Sequence, residues 1–200
     1  MTSHLDKTTL KALAEGRHYD PFSLLGLHLE RGKRIVRTLQ PQAASVALLV
    51  GDDDTAMAMQ KVHAGGVYEA EMPARKRAYR LRLGYADGSS QEIQDAYRFP
   101  SMLGDLDLYL IGQGSHRDIF RKLGAHPAKL LGVRGTFFAV WAPNAQRVSV
   151  IGPFNEWDNR VHPMQRQGES GVWELFLPNL VEGTPYKYAV KSMTGGYEVD

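Results

Sequence analysis

The side chains of this 200-residue chain that could transfer protons or hold a metal are few and poorly spaced for either task. Three aspartates stand together in "GDDD" (51–54), Glu156 and Asp158 share one turn, and seven histidines are scattered without ligand spacing. A calcium loop alternates its oxygen ligands and closes on a later glutamate. Asp52, Asp53 and Asp54 do neither and read as a solvated hairpin turn. A glycosidase pair must face each other across a pocket at about 5–10 Å, which two residues of one turn cannot do. No phosphate-binding glycine loop, zinc-binding helix or nucleophile elbow occurs. The absence of cysteine excludes disulfides and thiolate chemistry. No catalytic residue, metal site or cofactor is assigned to this chain.

The remaining chemistry is aromatic. In "GPFNEWDNR" (152–160), Gly152, Pro153, Asn155, Asp158 and Asn159 are all turn formers. Trp157 sits among them, although an indole gains nothing from water. A flat apolar ring rimmed by Asn155, Asn159 and Lys187 suits a ligand with one apolar face and many hydroxyls, such as a sugar ring. Trp141 and Trp173 lie within strand-like segments and are expected in the core.

These residues must be positioned by a fold, and an internal repeat indicates which. "DPFSLLGLH" (20–28) matches "DIFRKLGAH" (118–126) at a constant offset of 98, with Asp20, Phe22, Leu25, Gly26 and His28 recurring. "IVRTLQPQAASVALLVGD" (35–52) parallels "FFAVWAPNAQRVSVIGPF" (137–154), with Pro41 and Pro143 in step. "GVYEAEMP" (66–73) parallels "GVWELFLP" (171–178), and "YRLRLGYADG" (79–88) parallels "YKYAVKSMTGG" (186–196). Four matches in order make a duplication.

Each copy is rich in short β-branched and aromatic runs separated by Gly, Pro and Asn. In "YRLRL", Leu81 and Leu83 should face inward and Arg80 and Arg82 outward. His28 and His126, at equivalent places, are expected to bond loop backbone near the first strand. The fold class is all-β: two tandem immunoglobulin-like β-sandwiches with a short N-terminal helix. The expected limits are a helix in 1–19, a degenerate first sandwich in 20–99, a connection in 100–117 and a second sandwich in 118–200, cut short at its C-terminal end. Ser3 is the expected helix cap, with Asp6 three residues on, Leu10, Leu13 and Ala14 form the apolar face, and Gly16 is the stop. The run "LDLYLI" in the connection is expected to pack against one sandwich.

A formal net charge of +2 gives no strong attraction to nucleic acid or an anionic membrane. No leader-like segment and no run of about 18 apolar residues occurs, so a soluble, cytoplasmic and monomeric protein is expected.

"WAPNAQRVSVIGPFNEWD", "GVWELFLPNLVEGTPYKYAV", the "DPFSLLGLH" opening and "LGAHP" together resemble the N-terminal region of the bacterial 1,4-α-glucan (glycogen) branching enzymes. Within it, the second copy resembles a carbohydrate-binding module of family 48. The resemblance covers nearly the whole chain. It implies an enzyme of the α-amylase superfamily that cuts α-1,4-glucan through a covalent glycosyl intermediate and rejoins the piece as an α-1,6 branch of glycogen. Its nucleophile and acid/base belong to a (β/α)₈ barrel, which is absent from this chain. This fragment would bind or position α-glucan and pack on that barrel. The turn tryptophan of sugar-binding modules corresponds to Trp157 and the lysine of "YKY" to Lys187. A second aromatic platform usually follows that lysine closely, and Tyr197, displaced by extra residues and not a tryptophan, is the only candidate for it. Pro153 replaces an aspartate common in the family's turn. A free-standing glycogen-binding scaffold and the front end of a debranching enzyme are the competing readings.

Overall fold

The computed structural model describes residues 5–51, 55–73 and 78–194, with the backbone of 198–199. The chain divides into two units, Met1–Arg98 and Phe99–Asp200. Among the described residues, no helix is long and apolar enough to cross a membrane.

In the first unit, β1 (Gly26–Glu30), β2 (Lys33–Leu39), β3 (Ser45–Val50), β4 (Thr55–Ala58), β5 (Gln60–His63), β6 (Val67–Glu71), β7 (Tyr79–Gly84) and β8 (Ser90–Ile93) form two antiparallel sheets. Their orders are β1-β2-β6-β5 and β4-β3-β7-β8. Strict alternation places Tyr79, Leu81 and Leu83 of β7 inside, while Arg80 and Arg82 reach Glu92 of β8 on the outside. Val36, Leu48 and Leu81 are fully enclosed between the sheets. Each contributes about 1.5–3 kcal/mol by leaving water.

The helix α1 (Lys7–Ala14) is capped by Asp6, whose carboxylate accepts from the Thr9 amide at 2.9 Å. A carboxylate at a helix N-terminus satisfies an orphan N–H and opposes the positive end of the dipole. Asp6 therefore takes the capping place expected for Ser3, which lies outside the described residues. Leu10, Leu13 and Ala14 pack on Leu25, Leu39 and Val67, the outer face of the first sheet. Gly16 ends the helix at φ 63, a left-handed stop that favours glycine.

The second unit repeats this lattice. Its strands are β9 (Gly124–Leu130), β10 (Val133–Trp141), β11 (Ala145–Ile151), β12 (Gln165–Arg166), β13 (Val172–Pro178), β14 (Lys187–Ser192) and β15 (Glu198–Val199). Their orders are β9-β10-β13-β12 and β11-β14-β15. The correspondence extends to single bonds. Tyr68 stands opposite Thr38 and Trp173 opposite Val140, and each ring bonds a carbonyl of the turn that follows, Ala43 at 2.6 Å and Ala142 at 3.0 Å. Gly66 and Gly171 have φ of +92 and +76, and a β-carbon on them would collide with Pro41 and Pro143. Those prolines are in step, as the repeat requires. The Nε2 of His28 donates to the Leu25 carbonyl at 2.8 Å and that of His126 to Leu123 at 2.9 Å, as expected.

Residues 100–117 contain α2 (Asp105–Gly112) and belong to the second unit. Ile111 and Leu108 of α2 pack with Phe99, Leu103, Phe137, Ala139, Val172 and Phe176 on the outer face of β10 and β13. Trp173 is buried, as expected, but Trp141 is 56% exposed. Phe137, Ala139 and Trp141 point to the same side of β10. The cluster around α2 takes in the first two and not the third, which closes the strand with its indole N–H on the Ser170 carbonyl.

Candidate functional site

Among the described residues, the strand order of the second unit's second sheet holds no strand in the place of β4, and an isolated antiparallel bridge between Ser149 and Pro163 lies beside β11 instead. After β11 the chain instead enters a 3₁₀ turn, Pro153–Asn155. A β-carbon on Gly152 would lie 2.4 Å from the Phe154 ring and 2.7 Å from the Pro185 carbonyl, so the turn requires glycine at its start. Asn155 then holds the turn closed from within. Its Oδ1 accepts from the Gly152 amide at 3.0 Å, and its Nδ2 donates to the Val150 carbonyl and approaches Nδ1 of His162, both at 2.9 Å. Burial depresses the His162 pKa to about 4, so near neutrality the ring is uncharged and its Nδ1 can accept that proton.

Past the turn, Glu156 and Trp157 both take left-handed backbone conformations, φ 54 and 60. Each costs a non-glycine residue about 1–2 kcal/mol. The strain is offset by the Asn155 lock, by the Trp157 amide bond to the Gly152 carbonyl at 3.0 Å, and by Asp158 beyond. Burial would raise the Asp158 pKa. The Arg160 guanidinium, bound side by side to both carboxylate oxygens at 2.9 and 2.7 Å, lowers it overall. Asp158 is thus a structural ion-pair partner inside the loop.

The outcome is an indole held at the surface, 46% exposed. Lys187 opens β14 opposite Ile151, the last residue of β11, and its ammonium lies 5.9 Å from the centre of the Trp157 ring. A cation at this range over an indole is attracted by about 0.5–1 kcal/mol at an exposed site. Thirty positions apart in sequence, these two residues form one surface: a flat apolar face with a three-donor ammonium beside it.

Of the expected site residues, the structure therefore unites Trp157 and Lys187. It buries Asn155 and commits its amide to the loop. Tyr197, like Asp52 to Asp54, lies outside the described residues. His162 and Arg160 escaped the sequence reading. Only their spacing after a Gly-Pro-Phe-Asn turn hints at a role, because their contacts depend on how the loop folds back over β11.

Residues 6–97 match the family described as alpha-1,4-glucan branching enzyme GlgB, N-terminal domain. Residues 122–200 match carbohydrate-binding module 48, the isoamylase N-terminal domain. The chain is 48% identical over 93% of its length to the 1,4-alpha-glucan branching enzyme of Rubrobacter xylanophilus, and 47% identical over 92% to that of Paramagnetospirillum magneticum. It spans 25% and 24% of the length of these relatives. The crystal structure of a pullulanase from Anoxybacillus sp. LM18-11 aligns with 86% of this chain and 24% of its own at 21% identity, with a TM-score of 0.31. On these two family matches and the identities to the branching enzymes, residues 6–97 belong to the family of 1,4-α-glucan branching enzyme N-terminal domains and residues 122–200 to the family 48 carbohydrate-binding modules.

Proposed function

We propose that this chain is the non-catalytic N-terminal part of a cytoplasmic glycogen branching enzyme, and that its second unit contacts linear α-1,4-glucan through Trp157 and Lys187. The observation that carries this reading is the pairing of an outward indole with an ammonium on a loop stiff enough to tolerate left-handed backbone at a tryptophan. Backbone strain of this kind, kept at an exposed aromatic, is expected where the ring has a task. The indole lies against the apolar face of a glucose ring and Lys187 donates to its hydroxyls. Asn155 sets the angle of the platform from inside the loop, and Tyr197 adds a second aromatic wall. In this reading the sandwiches of 20–99 and 118–200 pack on the catalytic barrel, which supplies the cleavage and transfer chemistry.

A single exposed platform contributes about 1–2 kcal/mol, and a site this shallow leaves most of the ligand wet, so affinity for a short glucan is on the order of millimolar or weaker. Titration of the chain with maltoheptaose, followed by backbone amide shifts, should move Trp157 and Lys187 together. The Trp157→Ala variant should weaken binding by roughly five- to thirtyfold. No shift at high millimolar sugar would sink the glucan reading and leave Trp157 as a packing residue. The purified chain should also leave the iodine absorbance of amylose unchanged. A change that persists after removal of contaminating enzyme would refute the non-catalytic assignment.

A further inference from the structure

The second unit carries another concavity, which at Pro185 adjoins the start of the tryptophan turn. Two cavities of about 550 and 510 Å³ share Pro127, Leu180, Val181 and Glu182 as walls and form one cleft. One side is the β9–β10 pair, where Pro127 stands opposite Thr136 and Lys129 opposite Arg134. The other side is the loop of residues 179–186 that leads from β13 to β14.

That loop is fixed in advance. The Asn179 amide donates to the Arg134 carbonyl at 2.8 Å, Thr136 Oγ1 to the Leu180 carbonyl at 3.0 Å, and Thr184 Oγ1 to the Val181 carbonyl at 2.8 Å. Asn179 itself adopts φ 62 to make the corner. A wall that is already ordered spares a ligand the entropic cost of arranging it.

The lining joins apolar surface to free polar groups. Val181 is 70% exposed. Among the described residues, Lys129, Arg134 and Glu182 make no ion pair and no side-chain hydrogen bond. Two cations directly opposite each other on antiparallel strands repel, yet the carboxylate lining the same cleft does not bridge to them. A purely apolar ligand would strip these charges of water without replacing it, and an anion would meet Glu182. A neutral ligand rich in hydroxyls satisfies the donors and the acceptor together while its apolar face rests on Pro127 and Val181.

We propose that this cleft is a second contact for linear α-1,4-glucan. The proposal rests on the glucan reading of the second unit. It also follows the course of the backbone: Tyr186 lines the cleft and the next residue, Lys187, stands at Trp157. A glucan rounding the start of β14 meets both, and the second contact then forms at the raised effective concentration of a tethered ligand.

Amide-shift titration of the 200-residue chain with maltoheptaose separates the possibilities. A saturable set of shifts is expected at Lys129, Arg134, Val181 and Glu182, and it should survive Trp157→Ala. Val181→Asp alters an exposed side chain and should leave the fold intact, which an otherwise unchanged spectrum would verify. It should weaken the cleft set by about tenfold and spare Trp157 and Lys187. Shifts confined to Trp157 and Lys187 would overturn the cleft while leaving the glucan reading standing. Cleft shifts with glucose 6-phosphate but none with maltoheptaose would overturn the neutral ligand. No shift anywhere would defeat both.

Discussion

Glu69 in the first unit and Glu174 in the second occupy the same place in the strand lattice, opposite Arg37 and Ala139 respectively. The first glutamate is neutralised by a guanidinium with no solvent exposure, which also binds Glu30 and the Leu24 carbonyl. The second faces no such cation. Glu174 instead accepts from the amides of Met102 and Leu103 at 3.3 and 3.2 Å and from the Gln167 amide at 2.7 Å, and burial raises its pKa. One duplicated scaffold thus houses an acid at the same lattice position in two ways, by a counter-charge where it is partly buried and by dipoles from the segment leading into α2 where it is fully buried. The lesson is that the strand lattice is indifferent to what covers it. The coverings, α1 against α2 and β4 against the tryptophan turn, are where the two halves differ.

The sharpest way to break this comparison is Arg37→Met, which removes the buried guanidinium shared by Glu30 and Glu69. Removing one side of a buried charge network costs about 3–5 kcal/mol. Trp141, Trp157 and Trp173 all lie in the second unit, so indole fluorescence reports that unit alone. In urea, circular dichroism should reveal an early transition that fluorescence lacks. An unchanged, coincident transition would show that Arg37 is not what neutralises the first unit.

A smaller effect comes from acid, and its sign should differ between the halves. Burial raises the pKa of Asp95, which accepts from the Tyr79 hydroxyl, to about 6. The folded first unit therefore holds a proton that the unfolded chain, with an aspartate near 4, has released. That contribution is present in full below about pH 4 and fades as the pH rises through 6, on the order of 2–3 kcal/mol. For His162 the folded pKa is depressed to about 4. Its contribution is present above about 6.5 and is lost as the pH falls toward 4. Side-chain resonances followed from pH 7 to pH 4 should show Asp95 titrating near 6 and His162 near 4. In urea melts, Asp95→Asn should flatten the pH dependence of the first unit only. Ordinary titration of both groups would remove the asymmetry.

The smallest effect sharpens the contrast at the turn. Glu156→Gly relieves a left-handed side chain and should stabilise the second unit by about 0.5–1 kcal/mol. If the strain aims the indole, the same variant should weaken maltoheptaose binding two- to threefold. A stabilised protein with unaltered binding would make the strain incidental.

Much of this architecture was legible in sequence because a repeat samples the same physics twice. Pro41 and Pro143, Gly66 and Gly171, and His28 and His126 each keep a constraint set by neighbouring backbone, and such constraints survive as identical residues. Trp157 and Lys187 were legible by residue type and turn context. Trp141 was misread because strand periodicity tells which face a residue takes, not whether something covers that face. Leu39, at the matching position, is buried under α1. The surroundings of α2 were equally hidden, since the apolar residues of "LDLYLI" spread around the helix and, interrupted only by Asp107, offer no period to read. Asn155 reads as a rim residue by composition, and only the closed turn reveals that its amide is used up inside.

Pro127, met above as a wall of the cleft, has a consequence for how such a chain folds. It sits within β9, an edge strand, at the position matched by Leu29 in β1. Proline lacks an N–H and fits a paired edge strand only where that group would point away from its partner, here away from β10. The outer rim of the second sandwich is thereby missing a donor in its middle. Two similar sandwiches in one chain are prone to exchange strands during synthesis, when the first is complete and the second is emerging. A rim that cannot continue the hydrogen-bond ladder is a poor template for the wrong strand. Pro127 thus leaves the outer edge of β9 a poor template for a further strand.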